Sequence, residues 1–266
     1  MTLGYISRVF VIKQEHYRNP DENQEQPPAA GEVLPAQDET LNQVQGYVSN
    51  KAMDPLSIIV FIFILLFSVI FHEVAHGLVA EKLGDPTARY AGRLTLNPIP
   101  HIDLFGSILL PMFLYWATAG QFVFGAAKPV PIDYRNLRNL RRDMFLIALA
   151  GPLTNIALAF LAAQVFRLSP NLSAMGEKLL VQTVLLNIVL GVFNMIPIPP
   201  LDGSKVLASI FGFIDRNWMY SILALERFGF ILIILFMFSG LLQTVLLPPV
   251  FFLLRLFLGT DVTSGF

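Results

Sequence analysis

The sequence predicts an all-α polytopic membrane protein with a small membrane-associated β segment and a re-entrant loop. Of its 266 residues, 55% are hydrophobic and 14% charged, and the mean hydropathy is +0.61; a soluble domain carries about 25% charged residues. Several apolar runs approach or exceed the roughly 20 residues that a helix needs to cross a bilayer. No early run has the short core and small-residue cleavage site of a signal peptide. The chain contains no cysteine and has a formal net charge of −1. This composition excludes disulfides and thiolate metal sites, and it offers no basic surface for nucleic acid. A metal ion here would need His, Asp or Glu.

Residues 1–52 hold Pro20, Pro27, Pro28 and Pro35 among many Gln, Asn and Glu. They show no sustained periodicity and are expected to form a polar, disordered N-terminal segment. The apolar start "LGYISRVFVI" is too short to span, and Met53 offers an alternative start. Residues 53–266 are expected to form one membrane domain, with a core over 55–210 and additional C-terminal spans over 219–258.

The first span is read at 55–83, uncharged from 55 to 71 and long enough to cross and project beyond the hydrocarbon. The following "PTARYAGRLTLNPIP" mixes β-branched and aromatic residues with Gly92, Asn97 and Pro98, which suggests short strands near the membrane surface. The apolar segment 104–127 is interrupted by Gly106, Pro111, Gly120 and Gly125. Further spans are expected at 144–166, 179–196 and 219–247, with a last apolar piece at 250–258 after Pro248 and Pro249.

Charge in the loops orients these spans. Segment 128–142 carries Lys128, Arg135, Arg138, Arg141 and Arg142 against Asp133, and such basic loops stay in the cytoplasm. The loop after the first span has Lys82, Arg89 and Arg93 balanced by acids, which count little in this rule, so it too is placed inside. With both flanks inside, 104–127 dips into the membrane and returns, which requires its irregular backbone to be covered by protein or to line a wet cavity.

"VIFHEVAHG" places ionisable groups where the apolar run ends. His72 and His76 lie one turn apart on one helix face, the spacing that lets two imidazoles hold one zinc ion, and Glu73 beside them is suited to take a proton from water. Ionisable side chains at membrane depth are costly and are rarely present without partners or function. A hydrolytic zinc site uses three protein ligands, so a third must come from further along. His101, Asp103, Asp202 and Glu226 are the candidates in or beside apolar segments. Asp202 follows Pro197, Pro199 and Pro200 and precedes Gly203, a setting that breaks the helix and aims a carboxylate across the protein; the alternative is a helix cap. Glu226 is followed by Arg227 and reads as a local pair, and "NPIPHID" reads as a polar interfacial turn carrying His101 and Asp103. Asn155, in "AGPLTN", puts an amide about 17 Å along its helix, suited either to a substrate or oxyanion or to a neighbouring helix.

"FHEVAHG", "AGPLTN" and "NMIPIPPLDG", in that order on three apolar spans, resemble the site-2 protease family of intramembrane zinc metalloproteases, peptidase family M50. The match covers roughly residues 55–210. The resemblance implies a site-2-protease-like helical core, Zn2+ held by His72, His76 and Asp202, Glu73 as catalytic base, and substrate-facing roles for Asn155 and Asn194. It also implies a membrane-associated β segment after the first core helix. The implied partners are a transmembrane protein or peptide substrate and the lipid bilayer, with no nucleic acid. The expected location is the cell membrane, with the site towards the cytoplasm. The connection between 166 and 179 is too short for a PDZ-like insertion. A rival reading is a non-catalytic membrane metal-binding regulator or scaffold on the same fold, in which the ligands matter and Glu73 does not.

Overall fold

A computed structural model describes residues 55–117, 125 and 127–259; the expected N-terminal segment 1–52 lies outside them. The described residues fall in two compact units, Pro55–Ile102 with Pro129–Thr260, and Asp103–Lys128. In chain order the α-helices are α1 (Pro55–Lys82), α2 (Thr87–Tyr90), α3 (Leu110–Ala117), α4 (Leu140–Leu168), α5 (Ala174–Asn194), α6 (Asp202–Ile214), α7 (Arg216–Ala224), α8 (Gly229–Phe238) and α9 (Leu241–Leu258). Among the described residues, four stretches are long and apolar enough to cross a membrane: Ile59–Lys82, Leu140–Leu168, Ala174–Asn194 and Arg216–Phe236. The last joins α7 to α8 through a 3-10 turn at Leu225–Phe228.

Local chemistry sets the helix limits. Pro55 opens α1, where a missing N–H costs nothing. Past its end, Gly84 takes φ +116, a left-handed conformation open to glycine, and the chain turns into the buried Asp85. Asn139 caps α4 by accepting from Arg142 N at 3.3 Å, and Ser173 caps α5 by accepting from Gly176 N at 3.2 Å. In the larger unit α4 is the central helix, packed against α5, α1 and α6. Its buried positions include Ala148, Gly151, Ala159 and Ala163, small residues that let helices approach closely where no water drives them together. Outward-facing Ile59, Ile62 and Phe63 on α1 remain exposed, as suits a lipid-facing surface.

The structure corrects the expected β segment: among the described residues there is no strand. Over 86–102 the backbone finds partners locally instead of across a ladder. Asn97 N donates to Thr95 Oγ1 at 3.1 Å, and Ile99 N to Asn97 Oδ1 at 3.1 Å. His101 N then donates to Pro98 O at 2.9 Å. Pro98 and Pro100 also lack the N–H that a strand would offer. The C-terminal spans are corrected too. The expected 219–247 breaks at Gly240, which takes φ +74, and 250–258 is the second half of α9, which runs through Pro248 and Pro249.

The smaller unit opens with a π-helical turn, Leu104–Leu109, which Asp103 starts by accepting from Gly106 N at 2.6 Å. It continues into α3. Leu104–Ala117 is about 21 Å long at 1.5 Å per residue, short of the roughly 30 Å hydrocarbon core. The rest of the expected re-entrant loop, 118–124 and 126, lies outside the described residues.

Candidate metal centre

Three side chains from two distant parts of the chain converge. His72 and His76 project from α1 one turn apart, and Asp202 opens α6 after the turn 195–201. Their Nε2, Nε2 and Oδ2 atoms lie 3.0 Å apart between the histidines and 3.1 Å from each histidine to the carboxylate. All three side chains are buried. Among the described residues they form a group of His, Cys, Asp or Glu that can hold a metal ion.

The protonation pattern tests whether a cation fits. His76 Nδ1 lies 2.6 Å from Ile147 O, an atom that only accepts, so Nδ1 carries the proton. Asn155 Nδ2 donates to Ser68 O at 3.2 Å and to Asn187 Oδ1 at 2.9 Å. Its Oδ1 therefore faces His72 Nδ1, at 2.6 Å, and that nitrogen too carries the proton. With Nδ1 protonated in this way, an imidazole in its neutral form presents Nε2 as a lone pair. Two bare nitrogens and a carboxylate oxygen turned on one another repel unless a cation lies among them. Their separations come within a few tenths of an ångström of the roughly 3.3 Å between tetrahedral ligands at about 2.0 Å. Two imidazoles and a carboxylate suit zinc.

Gly151 adds a second fit. A Cβ at this position would come within 2.4 Å of His76 Nε2 and 2.5 Å of His72 Nε2, so the bare backbone of α4 forms one wall of the centre. The next residue, Pro152, lacks the N–H that would pair with Ala148 O, which opens this turn of the helix; the adjacent Ile147 carbonyl is the one that reaches His76.

Glu73 lies between the two histidines in sequence, half-buried, and outside the group of three. Its Oε2 accepts from Val130 N at 2.8 Å. The second oxygen of Asp202 faces Lys205, whose Nζ is 3.7 Å from Oδ1. Burial opposes the charge on Lys205, but the nearby Tyr134, Asp202, Glu226 and Glu73 groups outweigh it and raise the ammonium above its ordinary pKa.

The other sequence candidates lie outside the group of three. Asn155 is fully buried with both N–H donors committed, so in this structure it holds His72 and offers no donor to a substrate. Asn194, at the end of α5, donates to Leu190 O at 3.0 Å and stands outside the group of three. Glu226 is exposed and does not join it. His101 is buried, with Nε2 at 2.9 Å from Thr95 O, and Asp103 caps the turn that precedes α3.

Over 206 residues the chain is 35% identical to a Bacillus subtilis protein with the provisional name zinc metalloprotease YwhC, covering 73% of this chain and 87% of that one. The chain belongs to peptidase family M50. The family model itself matches residues 169–238, from the connection before α5 through Asp202 to the end of α8. A Methanocaldococcus jannaschii protein provisionally named zinc metalloprotease MJ0611 is 32% identical over 189 residues, covering 68% of this chain and 84% of that one. A Mycobacterium tuberculosis protein provisionally named zinc metalloprotease Rip2 is 32% identical over 166 residues, covering 60% and 62%. No solved structure matches the chain at a significant level.

Sequence reasoning missed several residues that shape this M50 centre. Asn187 and Ser68 complete the network behind His72, with Asn187 Nδ2 donating to Ser68 Oγ at 2.9 Å and to Thr183 O at 2.9 Å. Both had a legible signal: Ser68 sits one turn before His72 on the same helix face, and Asn187 is an amide in the middle of an apolar span. The Val130 amide had none, because a backbone donor leaves no mark in the sequence.

Proposed function

We propose that this protein is an intramembrane zinc metalloprotease that hydrolyses peptide bonds within or near the transmembrane segments of its substrates. The convergence of two imidazole Nε2 atoms and a carboxylate oxygen, with Glu73 on the same turn of α1, carries this reading. His72, His76 and Asp202 hold the metal, while Asn155 and Ile147 O fix the two rings in the tautomer that presents Nε2. The chemistry supplied by bound zinc is Lewis acidity towards a water and a carbonyl oxygen. Glu73 takes a proton from the attacking water and returns it to the leaving nitrogen as the C–N bond breaks, so it ends each turnover in its starting state. Lys205 keeps a positive charge beside the reacting centre. A helical peptide bond is shielded by its own hydrogen bond, so the substrate must unwind locally before it is cut.

The whole of 53–266 is read as one protease domain in the cell membrane, with the site towards the cytoplasm. One argument supports that orientation and a second supports a shared side for the three ligands. Segment 128–142 is rich in arginine, and α4 and α5 already supply two crossings between the histidines and Asp202. A third crossing at 104–127 would carry Asp202 to the opposite side from its partners, which favours the re-entrant reading of that segment.

The test is cleavage of a model transmembrane substrate in liposomes by wild-type and Glu73→Gln protein, with zinc measured in each. The expected result is full zinc in both and a loss of about a hundredfold or more in the variant. Equal rates would sink the mechanism.

A further inference from the structure

Val130 stands between Pro129 and Pro131. Proline has no N–H, so Val130 provides the single backbone donor of these three residues, and it is spent on Glu73 Oε2 at 2.8 Å. The segment is stiff for chemical reasons. Each proline fixes its own φ near −65°, and a residue that precedes a proline is driven to extended backbone. Its seat is Gly77, one turn beyond Glu73 on the same face of α1. A Cβ at Gly77 would come within 2.6 Å of Leu94 Cδ2, 3.0 Å of Val130 Cγ1 and 3.1 Å of Ala88 Cβ. The buried Val130 side chain thus packs over bare helix backbone, at the height from which its own amide meets Glu73.

Resting on the assignment of Glu73 as the base, we infer that the Pro129–Val130–Pro131 segment is a positioning device for this carboxylate. A glutamate has three rotatable bonds, and one beside a cation tends to swing inwards and become a further ligand. The Val130 N–H tethers Oε2 and leaves Oε1 to receive the proton of water. An N–H to an ionised carboxylate is among the stronger hydrogen bonds, and the flanking prolines ensure that no neighbouring amide competes for Oε2. Val130 is a positioning residue: it acts through Glu73 and has no contact of its own with the reacting atoms.

The direct test replaces Val130 by its α-hydroxy acid, which exchanges the N–H for an ester oxygen and keeps the side chain. Cleavage of a model transmembrane peptide in liposomes gives kcat and KM, and bound zinc and the unfolding midpoint are measured on the same samples. The expected result is a kcat lowered at least about tenfold, with KM, zinc content and midpoint unchanged. The same ester placed at Ile132 leaves kcat within about twofold of wild type. With ordinary residues, Val130→Pro removes the donor and shows the same kcat loss. An unchanged kcat in the Val130 ester overturns the inference, as does loss of zinc in that protein. Glu73→Gln run in parallel separates the two levels. If that variant is inactive and the ester fully active, the inference alone falls; if it cleaves like wild type, the base assignment falls and the inference with it.

Discussion

At the scale of single residues, the centre depends on groups that never touch the metal. Asn155 fixes His72 through Oδ1 at 2.6 Å, so Asn155→Leu removes the acceptor and frees the ring to turn or to change tautomer. We expect a loss of about 10- to 100-fold in zinc affinity, read by titration against a competing chelator, with Asn155→Asp retaining more affinity than Asn155→Leu. Gly151→Ala is more severe, because its methyl would lie at 2.4 and 2.5 Å from the two Nε2 atoms. The expected outcome is a helical protein that binds no zinc, established by metal analysis and circular dichroism; bound zinc at the wild-type level would refute the cradle. The spacing of His72 and His76 could be read from the sequence because helix periodicity fixes it. The amide of Asn155 could not be assigned between substrate and neighbour, because only packing decides whether its donors are already used.

At the scale of elements, two turns aim the ligands. Asp202 is set by the close approach of α6 to the turn before it, where a Cβ on Gly203 would meet Met195 O at 2.3 Å and Ile196 O at 2.6 Å. These are backbone atoms that cannot rotate away. Gly203→Ala should lower stability by about 2 kcal/mol or more and reduce bound zinc, seen as a lower midpoint in detergent and a lower metal content. Asp85 secures the other turn, accepting from Asp133 N at 2.7 Å, Asn136 Nδ2 at 2.8 Å and Thr87 N at 3.1 Å. Burial would raise its pKa, but these bonds with Asn136, Thr87 and Asp133 hold it below the ordinary carboxylate range. The folded state therefore binds this proton less readily than the unfolded state, whose value is near 3.9. Its stabilisation is full above that value and is lost as the pH falls through the lower folded value. Asp85→Asn should cost about 1 to 3 kcal/mol at neutral pH, and the gap from wild type should narrow as unfolding is measured at pH values falling below about 4. The expected β segment near this turn failed for a related reason. Composition favoured strands, whereas Asn97 and Thr95 offered the backbone closer partners than any second strand.

At the scale of the whole molecule, the lack of native cysteine makes the chain its own background for mapping topology. In intact cells, Arg138→Cys should react with an impermeant maleimide only after the membrane is opened, and Asn171→Cys, between α4 and α5, should react from outside. The reverse pattern would overturn the cytoplasmic placement of the site. The spans were the most legible feature of the sequence, since hydropathy alone places α1, α4 and α5 within a few residues. The C-terminal breaks were less so: a uniformly apolar stretch does not say where Gly240 will turn it.

The position of the ligands along the chain has a consequence in time. His72 and Asp202 are 130 residues apart, and ribosomes add about 5 to 20 residues per second. For roughly 7 to 26 seconds of every synthesis, the histidines are already placed while the carboxylate is still unmade. On the ligand set proposed above, the chain through that interval threads into the bilayer beside other nascent helices with its metal centre incomplete.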